Sequence, residues 1–419
     1  MKKLIRRVGA KALRVLGLKK KSGFYGLGIA PKLMDILDKK GFVTPTPIQQ
    51  KSIPIAIETK DLVGIAQTGT GKTIAFAIPI IQRLAQISGK ALVLLPTREL
   101  ALQVAEVCRE FAPAFNMGVA CLIGGEGKES QLRDLHKKAR ILIGTPGRVY
   151  DHIEFGAAKV HDVRILVLDE ADRMFDMGFE PQITRIIRCL PKERQTMLFS
   201  ATIPDEVMRL ASQHMKLPLR VEVARSGTAA ENVIQELYVV SSASRPNLLM
   251  KLLKKYAGTV LIFVETRYEA FKVASFLSYA GHQVAELHSD RTMGQRKEAM
   301  EGFRTGKYRI MVATDIAARG IDVTGIELVV NYQLPSEDSG YVHRIGRTGR
   351  AGQPGRSITF ALPDQGGDVR SIETLTGIPM TQVTHPEVPA EKLWGYDRPS
   401  SGRGWNQRTP SFGGRRRRR

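Results

Sequence analysis

Cysteine is scarce. Only Cys108, Cys121 and Cys189 occur in 419 residues, and no two of them form a Cys-x-x-Cys pair. That pattern argues against a disulfide framework or a zinc site and suits a reducing, cytoplasmic setting. Long apolar runs are missing as well. A stretch such as Ala91 to Pro96 falls far short of the ~20 residues that span a bilayer. The basic N-terminus lacks an unbroken apolar stretch and a small-residue cleavage site, so no secretory signal is expected. Acids are outnumbered, 41 Asp and Glu against 63 Lys and Arg, for a formal charge of +22. What the chain does have is core material. With 43% apolar residues, global disorder is excluded, and its length suggests two or three domains of roughly 100–200 residues each.

The positive charge sits at the ends. Residues 1–23 hold nine Lys or Arg and no acid, and residues 395–419 hold eight Arg against Asp397. Together they supply 16 of the 22 charges, which leaves an ordinary globular body between two polyanion-seeking arms. Arg415 to Arg419 follows Gly413-Gly414, a composition that cannot bury an apolar face. In the N-terminal arm, Leu4, Ile5, Val8, Ala12, Val15 and Leu16 recur at helical spacing among basic residues. This basic amphipathic helix fits a membrane surface, an acidic partner or RNA.

The body alternates short apolar runs with helix-like stretches. Strands are expected at Leu62–Ala66, Ala91–Leu95, Ile141–Gly144, Ile165–Leu168 and Thr196–Phe199, then at Val260–Val264, Gln283–Leu287, Arg309–Ala313, Leu328–Tyr332 and Ser357–Leu362. Runs apolar nearly throughout suit strands covered on both faces, and the alternation argues an α/β fold with parallel sheets. Pro218, Gly227 and the polar stretch Arg225–Thr228 mark a connector. The expected organisation is a basic arm (1–23), a first domain (24–217), a linker (218–232), a second domain (233–380) and a disordered Gly/Arg-rich tail (381–419). In such sheets ligands gather beyond the carboxyl ends of the strands.

The first strand runs into Gln67-Thr68-Gly69-Thr70-Gly71-Lys72-Thr73 and then a helix-like stretch. Glycines let backbone N–H groups wrap phosphate oxygens, and the helix start adds donors and a favourable dipole. Lys72 should reach the β- and γ-phosphates, and the Thr73 hydroxyl should bind Mg²⁺. Ala66 stands where the usual pattern opens with Gly. Farther on, Ile165 to Leu168 ends in Asp169-Glu170. Asp169 is suited to hold Mg²⁺ through water, and Glu170 to polarise an attacking water.

With Ala171 and Asp172, these acids spell Asp-Glu-Ala-Asp, and the chain resembles the DEAD-box ATP-dependent RNA helicases of superfamily 2 over about residues 24–365, with the motifs in family order. The resemblance implies two tandem RecA-like domains that use ATP and Mg²⁺. Gly41-Phe42 and Pro45-Thr46-Pro47-Ile48-Gln49 look like the adenine-recognition motif, in which the Gln49 amide reads adenine's N6 and N7 edge. Phe24 stands where the family places an aromatic against the base. Thr68, Gly69, Thr70 and Gly71 cradle the phosphates on this reading. Thr97 and Arg98, Gly124-Gly125, Thr145-Pro146-Gly147-Arg148 and Thr314 are implied RNA contacts. Their hydroxyls, guanidinia and exposed N–H groups suit sugar and phosphate, with no base-edge code. Ser200 and Thr202 look like a relay with Asp172. In the second half, Gly320 and Asp322 would face the nucleotide, with Asp322 accepting from ribose. His343 and Arg344 would link the domains. Arg347 and Arg350 would act as arginine fingers.

One departure stands out. After Leu287-His288 the family usually has Gly-Asp and then a Gln three residues before an Arg. Here Ser289 and Met293 replace the Gly and the Gln, while Asp290 and Arg296 remain. Met lacks an amide's donor and acceptor, so a contact to RNA or across the cleft is expected to weaken or to pass to Gln295. The function implied by the resemblance is ATP-coupled, sequence-independent gripping of RNA by a monomer. It would separate short duplexes locally or remodel RNA–protein complexes. An ATP-gated RNA clamp with little unwinding shares every motif.

Overall fold

The computed structural model describes residues 22–66, 69–137, 139–223, 233–318, 323, 325–349 and 355–396. The N-terminal arm and the arginine run therefore lie outside the described residues. The first sheet is built from β1 (Leu62–Ile65), β2 (Lys90–Leu94), β3 (Gly118–Leu122), β4 (Ala139–Gly144), β5 (Val163–Asp169), β6 (Gln195–Ser200) and β7 (Leu219–Glu222). Its strands are all parallel, in the order β3-β4-β2-β5-β6-β1-β7. The second sheet holds β8 (Val233–Val239), β9 (Val260–Val264), β10 (Val284–Leu287), β11 (Ile310–Thr314), β12 (Leu328–Asn331), β13 (Gly355–Ala361) and β14 (Thr381–Gln382). Its order, β10-β11-β9-β12-β13-β8-β14, is the first order with every number raised by seven. The two halves thus share one topology, although their sequences show no repeat.

Successive side chains of a strand point to opposite faces, and here they feed separate cores. Ala91, Val93 and Leu95 join a cluster that holds Phe76, Val104 and Phe111, while Leu92 and Leu94 join one that holds Val149, Met174 and Ile186. The same division splits Val260, Ile262 and Val264 from Leu261 and Phe263. Because the strands are parallel, all their carboxyl ends lie along one edge, and the turns that leave them meet there.

Four strands escape the apolar-run reading. β8 contains Gln235 and Glu236, polar residues that are paired: the Tyr341 hydroxyl donates to Gln235, and Arg356 meets Glu236. β3 is short and small-residued. β7 lies inside the expected linker, yet Leu62 to Ile65 pair with Leu219 to Glu222, so the first domain extends to at least Glu222. β14 and the segment that follows it correct the expected tail. Val388 is buried, Tyr396 donates to Glu373, and Leu393 and Tyr396 pack on the second domain's core. Val388, Leu393 and Tyr396 thus hold residues 381–396 on the domain, and the tail from 397 lies outside the described residues.

Both cysteines in the first core, Cys108 and Cys121, are buried, and burial pushes their thiols up to about 12; Cys189 is exposed. Among the described residues no helix is long and apolar enough to cross a membrane.

Asp61, before β1, holds the opposite edge of the first sheet together. Its two carboxylate oxygens accept from the Thr196 N–H at 2.7 Å and the Lys216 N–H at 2.6 Å. Asp61→Ala leaves these donors unmatched, at a cost of about 2–3 kcal/mol. The first domain's thermal midpoint should fall by roughly 5–10 °C in calorimetry, with Asp61→Asn losing less because one acceptor oxygen remains.

Candidate nucleotide site and interdomain groove

The base end is built around Gln49, on the helix Pro47–Ile57. Its Oε1 accepts from the Thr46 N–H at 2.9 Å, capping that helix, and its Nε2 donates to the Gly71 carbonyl at 3.0 Å. Each amide atom keeps one hydrogen or lone pair to spare. Gly71 has φ +87°, and a Cβ there would stand 2.4 Å from Gln49 Nε2, so both the turn and the close approach require glycine. Phe24 does not match its expected role. It is 1% exposed and belongs to the first core, so it offers no open face for a base. Phe42 is 37% exposed, and its carbonyl accepts from the Ser22 hydroxyl.

At the phosphate end, Gly69 and Gly71 both adopt positive φ before the helix Lys72–Gln86. The Lys72 ammonium donates to the Ala66 carbonyl at 3.0 Å and lies 3.8 Å from Asp169 and 3.9 Å from Glu170. Thr73 follows on the first turn of that helix. Both acids are buried at the end of β5. Burial pushes Asp169 up to about 6, with Lys72 working against it. Burial would raise Glu170 too, but Arg173, Lys72 and Arg347 outweigh it and hold the carboxyl at about 2. Glu170 has φ +55°, ψ +51°, a left-handed conformation costly for a residue with a side chain. It forms an ion pair with Arg173, one helical turn on. Sequence reasoning missed Arg173, although an acid and a base three apart at a helix start were there to read.

Asp172 sits at the junction of the halves. Its Oδ2 accepts from the Thr202 hydroxyl at 2.9 Å and from the N–H groups of Thr202 and Ala201. The Ser200 hydroxyl accepts from the Asp172 N–H at 3.1 Å. From the second half, His343 Nε2 comes to 4.0 Å of the same Oδ2. Arg344 behaves differently from its expected role. It binds Asp315 through two 2.6 Å contacts and the Gln333 carbonyl, and lies over Phe263, all within the second half. Its hydrogen bonds thus lie within the second half and show no link between the domains. Arg347 is buried, its Nε donating to the His343 carbonyl at 3.2 Å, and its charge reaches Glu170.

A groove of about 460 Å³ runs across the same edge, lined by Thr97, Arg98, Gly124, Thr145, Gly147 and Arg148 from the first half and Ser289 and Arg296 from the second. Thr97 caps the helix Arg98–Phe111, accepting from the Leu100 N–H. The Arg98 guanidinium lies so close over Gly125 that a Cβ there would stand 2.3 Å from it. Thr145 and Pro146 begin the helix Pro146–Glu154, and Arg148 donates to the Glu126 carbonyl at 3.3 Å. Thr314 ends β11 and lines an adjoining cavity of about 410 Å³. Across the groove, Arg296 grips Glu99 at 2.6 Å. Gln295 does not take over from Met293. It caps its own helix, its Oε1 accepting from the Thr292 N–H at 3.0 Å. Thr68, Gly320, Asp322 and Arg350 lie outside the described residues.

Two family descriptions match the chain: DEAD/DEAH box helicase over residues 46–210, and helicase conserved C-terminal domain over residues 244–352. The chain is 39% identical to the DEAD-box ATP-dependent RNA helicase CshA of Geobacillus kaustophilus, covering 90% of this chain and 81% of that protein. It is 40% identical to the ATP-dependent RNA helicase RhlB of Pseudomonas syringae pv. tomato, covering 87% of this chain and 96% of that one. Among solved structures, S. cerevisiae Dbp5 bound to RNA and ADP BeF3 has a TM-score of 0.78 at 31% identity, covering 87% of this chain and 96% of that one. With both halves matched and the site residues gathered at one edge, the chain belongs to the DEAD/DEAH box helicase family.

Proposed function

We propose that this enzyme, an RNA-stimulated ATPase, grips single-stranded RNA by its backbone in the groove between its halves. The grip is independent of sequence. It separates short duplexes locally, or remodels RNA–protein complexes, as ATP is bound and hydrolysed. One observation carries the reading: His343 of the second half stands 4.0 Å from Asp172 of the first, beside the paired acids, and Arg347 of the same segment helps to hold the Glu170 carboxyl down. A hydrolytic site that needs both halves makes turnover depend on whatever brings them together, and the RNA-suited side chains of both halves line one groove.

The residues divide the work as follows. Gln49 reads adenine with its spare hydrogen and lone pair, and its bond to the Gly71 carbonyl ties that reading to the phosphate turn. Lys72, now on the Ala66 carbonyl and near both acids, turns to the β- and γ-phosphates when a triphosphate enters. That move strips two cations from Glu170, because Arg347 also swings its charge toward the γ-phosphate. Glu170 then becomes a better acceptor and orients the attacking water. Charge that develops on the transferred phosphoryl group meets Lys72 and Arg347 in a site closed to solvent. Asp169 and Thr73 fit Mg²⁺. One buried carboxylate, pushed up by burial, and one hydroxyl are too few for an all-protein cage and suit an ion that keeps its waters. Bound there, Mg²⁺ would neutralise the phosphate oxygens. Asp172, with Ser200, Thr202 and His343, carries closure between the halves. A strand that must bend to fit the closed groove loses pairs with its complement. Loss of a short duplex strand at substoichiometric protein supports strand separation; stable ATP-locked binding with no displacement favours the clamp.

Three measurements test this. Glu170→Gln should lower ATP turnover by roughly 10²-fold or more while nucleotide and RNA binding persist; retained turnover would remove Glu170 from its role. Gln49→Ala should reduce the preference for ATP over GTP in steady-state kinetics, and unchanged selectivity would exclude it from base reading. Deleting residues 401–419 removes seven arginines. It should flatten the salt dependence of RNA affinity, since each neutralised phosphate contributes a slope of roughly −0.7 on single strands.

A further inference from the structure

The helix Met293–Arg304 of the second half ends on the first half's groove wall, and two of its residues, one turn apart, touch adjacent pieces of that wall. Arg296 holds Glu99 at 2.6 Å. Met293 packs against the first core and lies over Gly125, where its Cγ would stand 3.2 Å from a Cβ. Gly125 is also the residue that the Arg98 guanidinium covers. The helix end is fixed in this attitude by its own cap, in which Thr292 and Gln295 exchange two hydrogen bonds at 3.0 and 3.3 Å.

We propose that Met293 is an apolar latch that favours closure of the cleft whether or not RNA is present. The idea rests on the reading of that cleft as one that closes around ATP and RNA. An amide at this half-buried position would exchange bonds with water for bonds with whatever occupies the groove, so its contribution to closure would depend on the occupant. A thioether needs no such bonds. It fills an irregular gap, and its contact is worth as much over an empty groove as over a filled one. A contact made only in the closed form shifts the open–closed balance by its own free energy. Met293 is thus a positioning residue: it touches neither ATP nor the reacting atoms, and it acts by holding Gly125 and Arg98 of one half against the helix of the other. The consequence is an enzyme with more RNA-independent ATP turnover than its Met293→Gln variant.

The test uses the full chain. ATP turnover is measured without RNA and at saturating RNA for the wild type and for Met293→Gln, Met293→Ala and Met293→Leu. The Gln and Ala variants should lose RNA-free turnover roughly five- to tenfold, need more RNA for half-maximal stimulation, and keep saturated turnover within about twofold. Met293→Leu should behave as the wild type. In parallel, closure is read by energy transfer between dyes on the exposed Cys189 and on Ser278→Cys, with ATP and no RNA. The closed fraction should drop in Met293→Gln. Unchanged RNA-free turnover in the Gln and Ala variants, equal loss with and without RNA, or an unchanged closed fraction each overturns the proposal. If the wild type shows no stimulation by RNA, the functional reading fails, and the energy-transfer arm, which needs only ATP, still decides the latch.

Discussion

Two carboxylates buried side by side at the end of a strand cannot both stay ionised unless cations face them. Asp169 and Glu170 impose that constraint, and much of the molecule answers it. Lys72 comes from the first turn of the helix after β1, Arg173 from the helix that follows the acids, and Arg347 from the other half of the chain. The answer is uneven. Burial pushes Asp169 up, with Lys72 working against it, whereas Arg173, Lys72 and Arg347 together hold Glu170 down. Both acids therefore depend on positive charge drawn from separate parts of the chain.

The same constraint explains why the halves communicate. Arg347 is buried against its own domain, with its Nε on the His343 carbonyl, and His343 lies 4.0 Å from Asp172. Asp172 in turn holds the turn after β6 through Thr202 and Ala201. Three residues of one segment thus lend charge to Glu170, approach the acid that organises the neighbouring turn, and, through Arg344 on Asp315, hold their own half. A shift of that stretch cannot alter one contact and spare the others. Arg344 contributes by anchoring the stretch, which is a different task from reaching across.

Much of this was legible in the sequence because each chemical group follows an apolar run, and parallel strands deliver all such ends to one edge. The phosphate turn, the paired acids and the Ser200–Thr202 turn were readable for that reason. What escaped has a common physical cause: a pairing over long sequence distance leaves no local pattern. Glu99 and Arg296 are 197 positions apart, and nothing near either names the other. Asp315 and Arg344 are 29 apart and equally silent. Phe24 shows the opposite failure. Its spacing fits a base-stacking residue, but spacing does not report depth, and the side chain is in the core. Gln295 carried a local signal that went unused, since Thr-x-x-Gln is a capping pattern. The same pattern occurs at Thr46–Gln49, where the capping glutamine also reaches the phosphate turn.

That pair of glutamines shows how one local device serves two ends. At Gln49 the cap fixes the side chain beside Gly71, with one amide hydrogen and one lone pair beyond those two bonds. At Gln295 the cap commits the amide oxygen to the helix end, beside Met293. The groove wall then needs a neighbour that tolerates both an empty and an occupied channel, and a flexible thioether meets that need better than a hydrogen-bonding group. Next to it, Arg296 and Glu99 supply the directional half of the contact, largely shielded from water. An ion pair sets the register of the two domains, and an apolar side chain supplies attraction that does not depend on register. Together they join the two halves at one wall of the groove by one directional and one non-directional contact.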